Sequence, residues 1–171
     1  MNDFLHRLFR LTRTPRQLPT EDFVSLCLGR QLERDPALAK NLIGALVSRM
    51  PDGEGEMLSR WTSHSDGQVS CRAQVPRRTP DAERTVCADL LLTLHGEPST
   101  NLIIEAKVGS GVPSARQLRQ YREAYSIPLV VPLVESQVVS QCLVPSLTWD
   151  DVLSGLNGAA EAPGRSDLQR L

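Results

Sequence analysis

Two opposite charges interrupt an otherwise apolar run of the chain, NLIIEAKV at residues 101–108. The run is rich in branched apolar residues and predicts a strand, in which alternate side chains project from the same face. Glu105 and Lys107 therefore share one face, and their apolar neighbours share the other. Charges in a buried strand are costly unless they are paired or bind a metal. The pattern indicates either a salt bridge at the end of a strand or a metal-binding or catalytic site.

A third charge, Asp89, lies in the preceding β-rich run, TVCADLLLTLH at residues 85–95. The turn sequence GEPST joins the two runs and predicts a hairpin centred on Glu97. Asp89 and Glu105 are each eight residues from that centre, so they should lie opposite each other, with Cβ atoms about 5 Å apart. Two carboxylates at that distance destabilise a sheet unless something positive lies between them.

A divalent cation is the positive charge that this arrangement favours. Mg²⁺ takes carboxylate oxygens and retains several waters for a substrate phosphate, and Mn²⁺ should substitute for it. The backbone carbonyl of Ala106 would supply a further ligand beside Asp89 and Glu105. Such an ion makes a bound water more acidic and stabilises charge on phosphorus oxygens. Lys107 would then orient or deprotonate the water, or bind the phosphate. The chemistry expected is hydrolysis of phosphodiester bonds.

The spacing of these residues resembles a known signature. Asp89, 15 further residues and Glu105-Ala106-Lys107 look like the D-x(n)-ExK motif of the PD-(D/E)XK nuclease superfamily. Three other segments are similar to bacterial branches of that family. They are the opening TEDFVSLCLGRQLERDPALAKNLI, the stretch RQLRQYREAY with Gln117 and Tyr121 one turn apart, and the closing LTWDDVLSGL. The resemblance covers roughly residues 19–156.

The resemblance implies a restriction-endonuclease-like α/β (α+β) fold with an αβββαβ core, and a Mg²⁺-dependent deoxyribonuclease of a bacterial defence or restriction system. It implies Glu21 as a further metal ligand and Gln117 as a residue that orients Lys107 or the substrate. The chain departs from the pattern in two places. Ala88 replaces the proline of the family name, and the first helix lacks a second acidic residue near Glu21, with Glu33 as a distant rival.

The remaining elements follow from caps and turn signals. Thr20 should begin a helix that runs to about Arg34, and Asp35-Pro36 should cap a second one ending near Met50. Further predicted elements are a strand at 69–75, a loop at 76–83, a central hairpin covered on both faces, a helix at about 114–125, strands at 127–135 and 143–149, and a short helix capped by Thr148. Pro132 should lie at an edge or bulge. Residues 1–18 are expected to form a basic amphipathic arm, and 157–171 a loose tail.

Composition sets limits on function. Hydrophobic residues make up 40% of the 171 residues and charged residues 23%, as in soluble globular proteins, and no apolar run could cross a membrane. Four widely separated cysteines without a CxxC pair favour buried free thiols in the cytoplasm over a zinc site. Because the net charge is −1, binding of nucleic acid requires that basic groups be segregated onto one face. Arg116, Arg119 and Arg122 are candidates for phosphate contacts or a solvated face.

Two other functions fit the same sequence. The domain could be a catalytically inactive module that binds or assembles, as its small size and near-neutral charge permit. It could also be a nuclease that depends on a homodimer or a partner protein to bind its substrate, with DNA a better candidate than RNA. Measurement of the mass in solution, together with activity, would test the last case, because a strictly monomeric and fully active protein would exclude it.

Overall fold

The computed structural model describes residues 20–64, 66–80, 85–109 and 111–160. Its helices are α1 (Thr20–Arg34), α2 (Pro36–Val47), α3 (Glu56–His64), α4 (Ala115–Tyr125) and α5 (Trp149–Ala160). Its strands are β1 (Val69–Arg78), β2 (Thr85–Leu94), β3 (Thr100–Ala106), β4 (Val130–Val134) and β5 (Leu147–Thr148). A short 3-10 helix, Ser136–Gln141, lies between β4 and β5. The fold is mixed α/β, as expected.

The five strands form one mixed sheet in the order β1-β2-β3-β4-β5. The pairs β1–β2 and β2–β3 are antiparallel, whereas β3–β4 and β4–β5 are parallel. A parallel connection needs a crossover between its strands, and α4 provides the one from β3 to β4. The predicted hairpin, β2 with β3, lies inside the sheet.

Apolar side chains cover both faces of this hairpin, as its sequence predicts. Leu90 and Ile104 pack on one face in a core with residues of α1, α2, α3 and α5. Leu91 and Ile103 pack on the other face with Leu118 of α4. Side chains of β2 and β3 that project towards α4 therefore form a separate layer. Asp89 and Glu105 belong to that layer by alternation.

The predicted helix starts are confirmed by their caps. The Asp35 side chain accepts a hydrogen bond from the Leu38 N–H (3.2 Å), with Pro36 next in the chain. Thr148 and Asp151 form a reciprocal cap at the start of α5. The Asp151 N–H donates to the Thr148 hydroxyl (3.2 Å), and the Thr148 N–H donates to the Asp151 carboxylate (2.7 Å). Such caps satisfy N–H groups that have no partner within the helix.

Helix α3 was not predicted from the sequence, and it ends at His64. Only two of its nine residues, Leu58 and Trp61, are buried. The apolar residues are therefore too few to predict a helix from the sequence. The Trp61 indole N–H donates to the His95 carbonyl (2.8 Å) and ties α3 to the end of β2. Tertiary contacts, more than local pattern, support this helix.

Other boundaries also differ from expectation. β1 continues to Arg78 through Pro76, expected in a loop, because an edge strand tolerates a residue without an N–H. β5 has only two residues. β4 is not an edge strand, but Pro132 pairs with β3 alone, because β5 reaches only Leu133 and Val134. α5 continues to Ala160, four residues past the expected end of the domain at 156. The arm at 1–18 and the remainder of the tail lie outside the described residues.

Candidate active site

The sheet register places Asp89 opposite Glu105, as the hairpin symmetry predicts. Leu94 pairs with Thr100, and the ladder continues residue by residue to Leu90 and Ile104. Asp89 and Glu105 are the next residues of the two strands, immediately past this last pair, so the same register brings them opposite each other. Both residues are nearly buried, with 8% and 2% of their surfaces exposed. The two carboxylates therefore face each other where water is largely excluded.

The Asp89 carboxylate is held from two directions. Its Oδ2 accepts a hydrogen bond from the Ala106 N–H (2.8 Å), and its Oδ1 accepts one from the Gln74 side-chain amide (3.2 Å). The first bond closes the end of the β3 ladder with a side chain instead of a backbone carbonyl. Ala106 is thereby fixed beside the acids, which is where the sequence placed it as a carbonyl ligand.

Glu105 has one occupied and one open oxygen. Its Oε1 lies 2.9 Å from the Lys107 Nζ and accepts a hydrogen bond from the Gln117 amide (2.6 Å). Its Oε2 is buried and has no hydrogen-bond partner among the residues that the structure describes. Buried carboxylate oxygens are seldom left without a partner. An oxygen of this kind is suited to receive a ligand from outside the chain.

The electrostatics of the pair reflect this burial. Burial and the nearby Asp89 carboxylate raise the pKa of Glu105 to about 7, against the opposing effect of the Lys107 ammonium. Desolvation and a like charge both disfavour the ionised form. Near neutral pH both protonation states of Glu105 are therefore populated, and a bound cation would favour the ionised one.

Lys107 lies one residue beyond β3 and is anchored through its backbone. Its N–H donates to the Leu133 carbonyl (2.8 Å), and its own carbonyl accepts from the Trp149 indole (2.9 Å). Its side chain keeps 21% of its surface exposed. The ammonium can thus contact both Glu105 and a molecule arriving from solvent. Of the 19 lysines and arginines, only Lys40 and Lys107 are lysines.

Helix α4 supplies the side chains above the acids. Ser114 caps it by accepting from the Gln117 N–H (3.2 Å). The Gln117 amide, besides contacting Glu105, donates to the Tyr121 hydroxyl (3.3 Å), which donates to the Cys87 carbonyl (3.0 Å). The one-turn spacing of Gln117 and Tyr121 therefore yields a connected chain of hydrogen bonds, in which Tyr121 is a buried linker.

The residues present fit a divalent cation in part. Glu105 offers an open oxygen, Asp89 lies opposite, and Ala106 is held next to both. No cluster of three or more His, Cys, Asp or Glu side chains arranged to hold a metal occurs within the described ranges. The third acid that the sequence nominated, Glu21, lies in the first turn of α1, and its side chain is outside the described part of the structure. Glu33 is engaged elsewhere, by the Cys71 N–H (2.9 Å).

Two residues of the site were missed by sequence reasoning, Gln74 and Tyr125. Gln74 lies in β1 and contacts Asp89. The Tyr125 hydroxyl accepts from the Ala88 N–H (2.9 Å) and donates to the Val75 carbonyl. Tyr125 follows Tyr121 by one helical turn, a spacing that could have identified it. No sequence signal identifies Gln74.

Charge is segregated between the two ends of the β2–β3 hairpin. β1 and α4, which flank the acids, carry six exposed arginines and one exposed acid, Glu123. The arginines are Arg72, Arg77, Arg78, Arg116, Arg119 and Arg122. At the turn end of the hairpin, Glu54, Glu56 and Glu97 line an 840 Å³ cleft, together with one arginine, Arg60, which is paired with Glu56. A polyanion would be attracted to the end that holds Asp89 and Glu105.

His95 and Cys71 lie away from the acids. The His95 ring contacts the Ser70 hydroxyl (2.7 Å) at the turn end of the hairpin. The four cysteines are free, as predicted, but none is fully buried, and Cys87 is exposed. Burial raises the pKa of Cys71 to about 12, so this thiol is unreactive.

Comparisons with family models, with curated proteins and with solved structures give no match to this chain. Among the described residues, none of the helices has the length and apolar character needed to span a bilayer.

Proposed function

We propose that the protein is a Mg²⁺-dependent nuclease of the PD-(D/E)XK type. The observation that carries the proposal is the facing pair of carboxylates, Asp89 and Glu105, with one Glu105 oxygen open and Lys107 2.9 Å from the other. A buried pair of acids with a lysine at its exposed side is suited to hold a cation against a phosphate. The element order, in which helices α1 to α3 are followed by three antiparallel strands, helix α4 and the parallel strand β4, supports the restriction-endonuclease-like αβββαβ core.

The proposed roles follow from the contacts. Asp89, Glu105 and the Ala106 carbonyl would hold the ion, with Glu21 contributing directly or through water. When bound, the ion would activate water and stabilise charge on the phosphate oxygens. Lys107, partly exposed, would position the attacking water and steady the phosphate. Gln117, which donates to Glu105, would keep that carboxylate oriented.

DNA is the proposed substrate. Phosphate contacts supply most of the affinity for nucleic acid and require clustered cations. The six arginines of β1 and α4 provide such a cluster in a chain whose net charge is −1. A partner or a second copy of the chain would extend the surface that contacts the substrate. The free cysteines favour a cytoplasmic protein.

One observation favours the second function, a catalytically inactive module. Glu105 is already neutralised by Lys107, and Asp89 already accepts two hydrogen bonds. The acids could therefore serve as a structural link between β2, β3 and α4. In that case the arginine face would bind nucleic acid or a partner protein without cleavage.

Cleavage assays separate the two functions. Supercoiled plasmid, single-stranded DNA and RNA are incubated with the protein in Mg²⁺, in Mn²⁺ and in EDTA. The wild type should cleave DNA only with metal, and Asp89→Ala and Lys107→Ala should abolish cleavage. Lys40→Ala and Glu54→Gln are matched controls on other parts of the surface. DNA binding without cleavage in either metal would overturn the nuclease and support the inactive module.

A further inference from the structure

Gln74 has a backbone conformation that is unusual for its type. Its φ is +51° in the middle of β1, in the left-handed region that L-residues with a Cβ rarely occupy. The neighbouring pairs, Ala73 with Leu90 and Val75 with Ala88, keep the same register on both sides. No residue is inserted, so a bulge does not account for the conformation. By that register Gln74 stands opposite Asp89.

The side chain of Gln74 uses both ends of its amide. The amide nitrogen donates to the Asp89 Oδ1 (3.2 Å), and the amide oxygen accepts from the Cys87 thiol (3.4 Å). The thiol needs an acceptor and the carboxylate a donor, so the two contacts agree on one orientation of the amide. The donor end therefore faces the acid.

The strand pairing around Gln74 is mediated by side chains. One position further along, the Tyr125 hydroxyl links the Ala88 N–H to the Val75 carbonyl, the backbone groups of a paired set of residues. The β1–β2 pairs skip only Gln74 and Asp89, and at this position the two strands are joined by the Gln74 side chain, with the Tyr125 hydroxyl bonded next to it. Strained conformations persist where the surroundings over-determine them, and they concentrate at functional sites.

We propose that Gln74 is a positioning residue that holds the Asp89 carboxylate in the orientation needed to bind the divalent cation. The inference rests on the proposed metal site. The Ala106 N–H fixes one carboxylate oxygen and the Gln74 amide fixes the other. Groups that orient a ligand in this way typically change metal affinity 10–100-fold when they are removed.

Two substitutions of Gln74 separate the effect of its side-chain amide from the effect of its strained backbone. Gln74→Met keeps the length of the side chain and the strained backbone but removes the amide. Gln74→Gly also removes the amide but relieves the left-handed conformation. Mn²⁺ affinity is measured by calorimetry and stability by urea unfolding in EDTA, on the full chain. Gln68→Met, an exposed glutamine just before β1, is the control.

Both variants should bind Mn²⁺ about tenfold or more weakly than the wild type, although Gln74→Gly unfolds at higher urea than Gln74→Met. A purely structural residue would instead change affinity in step with stability. If either folded variant bound Mn²⁺ with wild-type affinity, the positioning role of Gln74 would be overturned and the metal site would stand. Absence of Mn²⁺ binding by the wild type would overturn the metal site, and the positioning role with it.

Discussion

The Asp89 carboxylate accepts a hydrogen bond from the backbone N–H of Ala106 at 2.8 Å. This contact occurs at Ala106, the last residue of β3 and two residues past Ile104, where the β2–β3 pairs end. A side chain thus satisfies an N–H that would otherwise be left without a strand partner. The same bond brings the carboxylate against Glu105, so the end of the ladder and the candidate metal site are one structural feature.

Glu105→Gln should change how stability depends on pH in metal-free buffer. In the folded protein the pKa of Glu105 is raised from 4.5 to about 7, so the folded state binds more protons than the unfolded state between these values. The stability of the wild type should fall as pH rises from 5 to 8. Glu105→Gln removes this loss of stability. At pH 8 its free energy of unfolding should exceed that of the wild type by on the order of 2 kcal/mol.

The measurement is urea unfolding in EDTA at pH 5 and pH 8. Glu54→Gln, an exposed acid at the other end of the hairpin, should show the same pH dependence as the wild type. An identical pH dependence in Glu105→Gln and wild type would contradict the buried, repelled carboxylate.

Gln117→Ala should slow cleavage with little effect on binding of DNA. The Gln117 amide donates to Glu105 at 2.6 Å, and its loss frees the carboxylate to rotate. A reduction of kcat by about 10–100-fold is expected. Gln120→Ala, on the same helix, is the matched control. Equal kcat values for the two variants would show that Gln117 has no orienting role.

Lys107→Arg tests why a lysine occupies this position in a chain whose only other lysine is Lys40. An arginine keeps the positive charge beside Glu105 but stays protonated and presents a larger planar group. If Lys107 exchanges a proton with the attacking water, the variant should lose at least 100-fold in kcat while still binding DNA. Near-normal cleavage by Lys107→Arg would limit the role of Lys107 to its charge.

Much of this site could be predicted from the sequence because it depends on hairpin symmetry. The equal spacing of Asp89 and Glu105 about the turn fixes their register, and alternation fixes their face. The contact of Gln74 with Asp89 could not be predicted, because nothing about a glutamine in a strand indicates that its φ will be positive. Helix α3 was missed for a related reason: its stability comes from the Trp61 contact with the end of β2.

Substitution of Arg77 and Arg78 should weaken the binding of DNA without changing the affinity for the metal ion. Both are exposed on β1, past the point where β3 ends. Replacing both with Ala should lower DNA affinity at low salt and reduce the slope of log affinity against log salt by about 1–2. Arg60→Ala, at the acidic end, is the control. Fluorescence anisotropy with Ca²⁺ replacing Mg²⁺ reports binding, and an unchanged slope would remove this surface from the substrate path.

The central claim is that Asp89 and Glu105 share one divalent cation. Anomalous diffraction from crystals grown with Mn²⁺ tests it at the level of atoms, with Asp89→Asn crystals as the control. We predict an anomalous peak between Asp89 and the open Oε2 of Glu105, which is absent from the variant. A wild-type map without a peak at this position, at saturating Mn²⁺ and pH 8, would contradict the metal site and support a structural role for the acids.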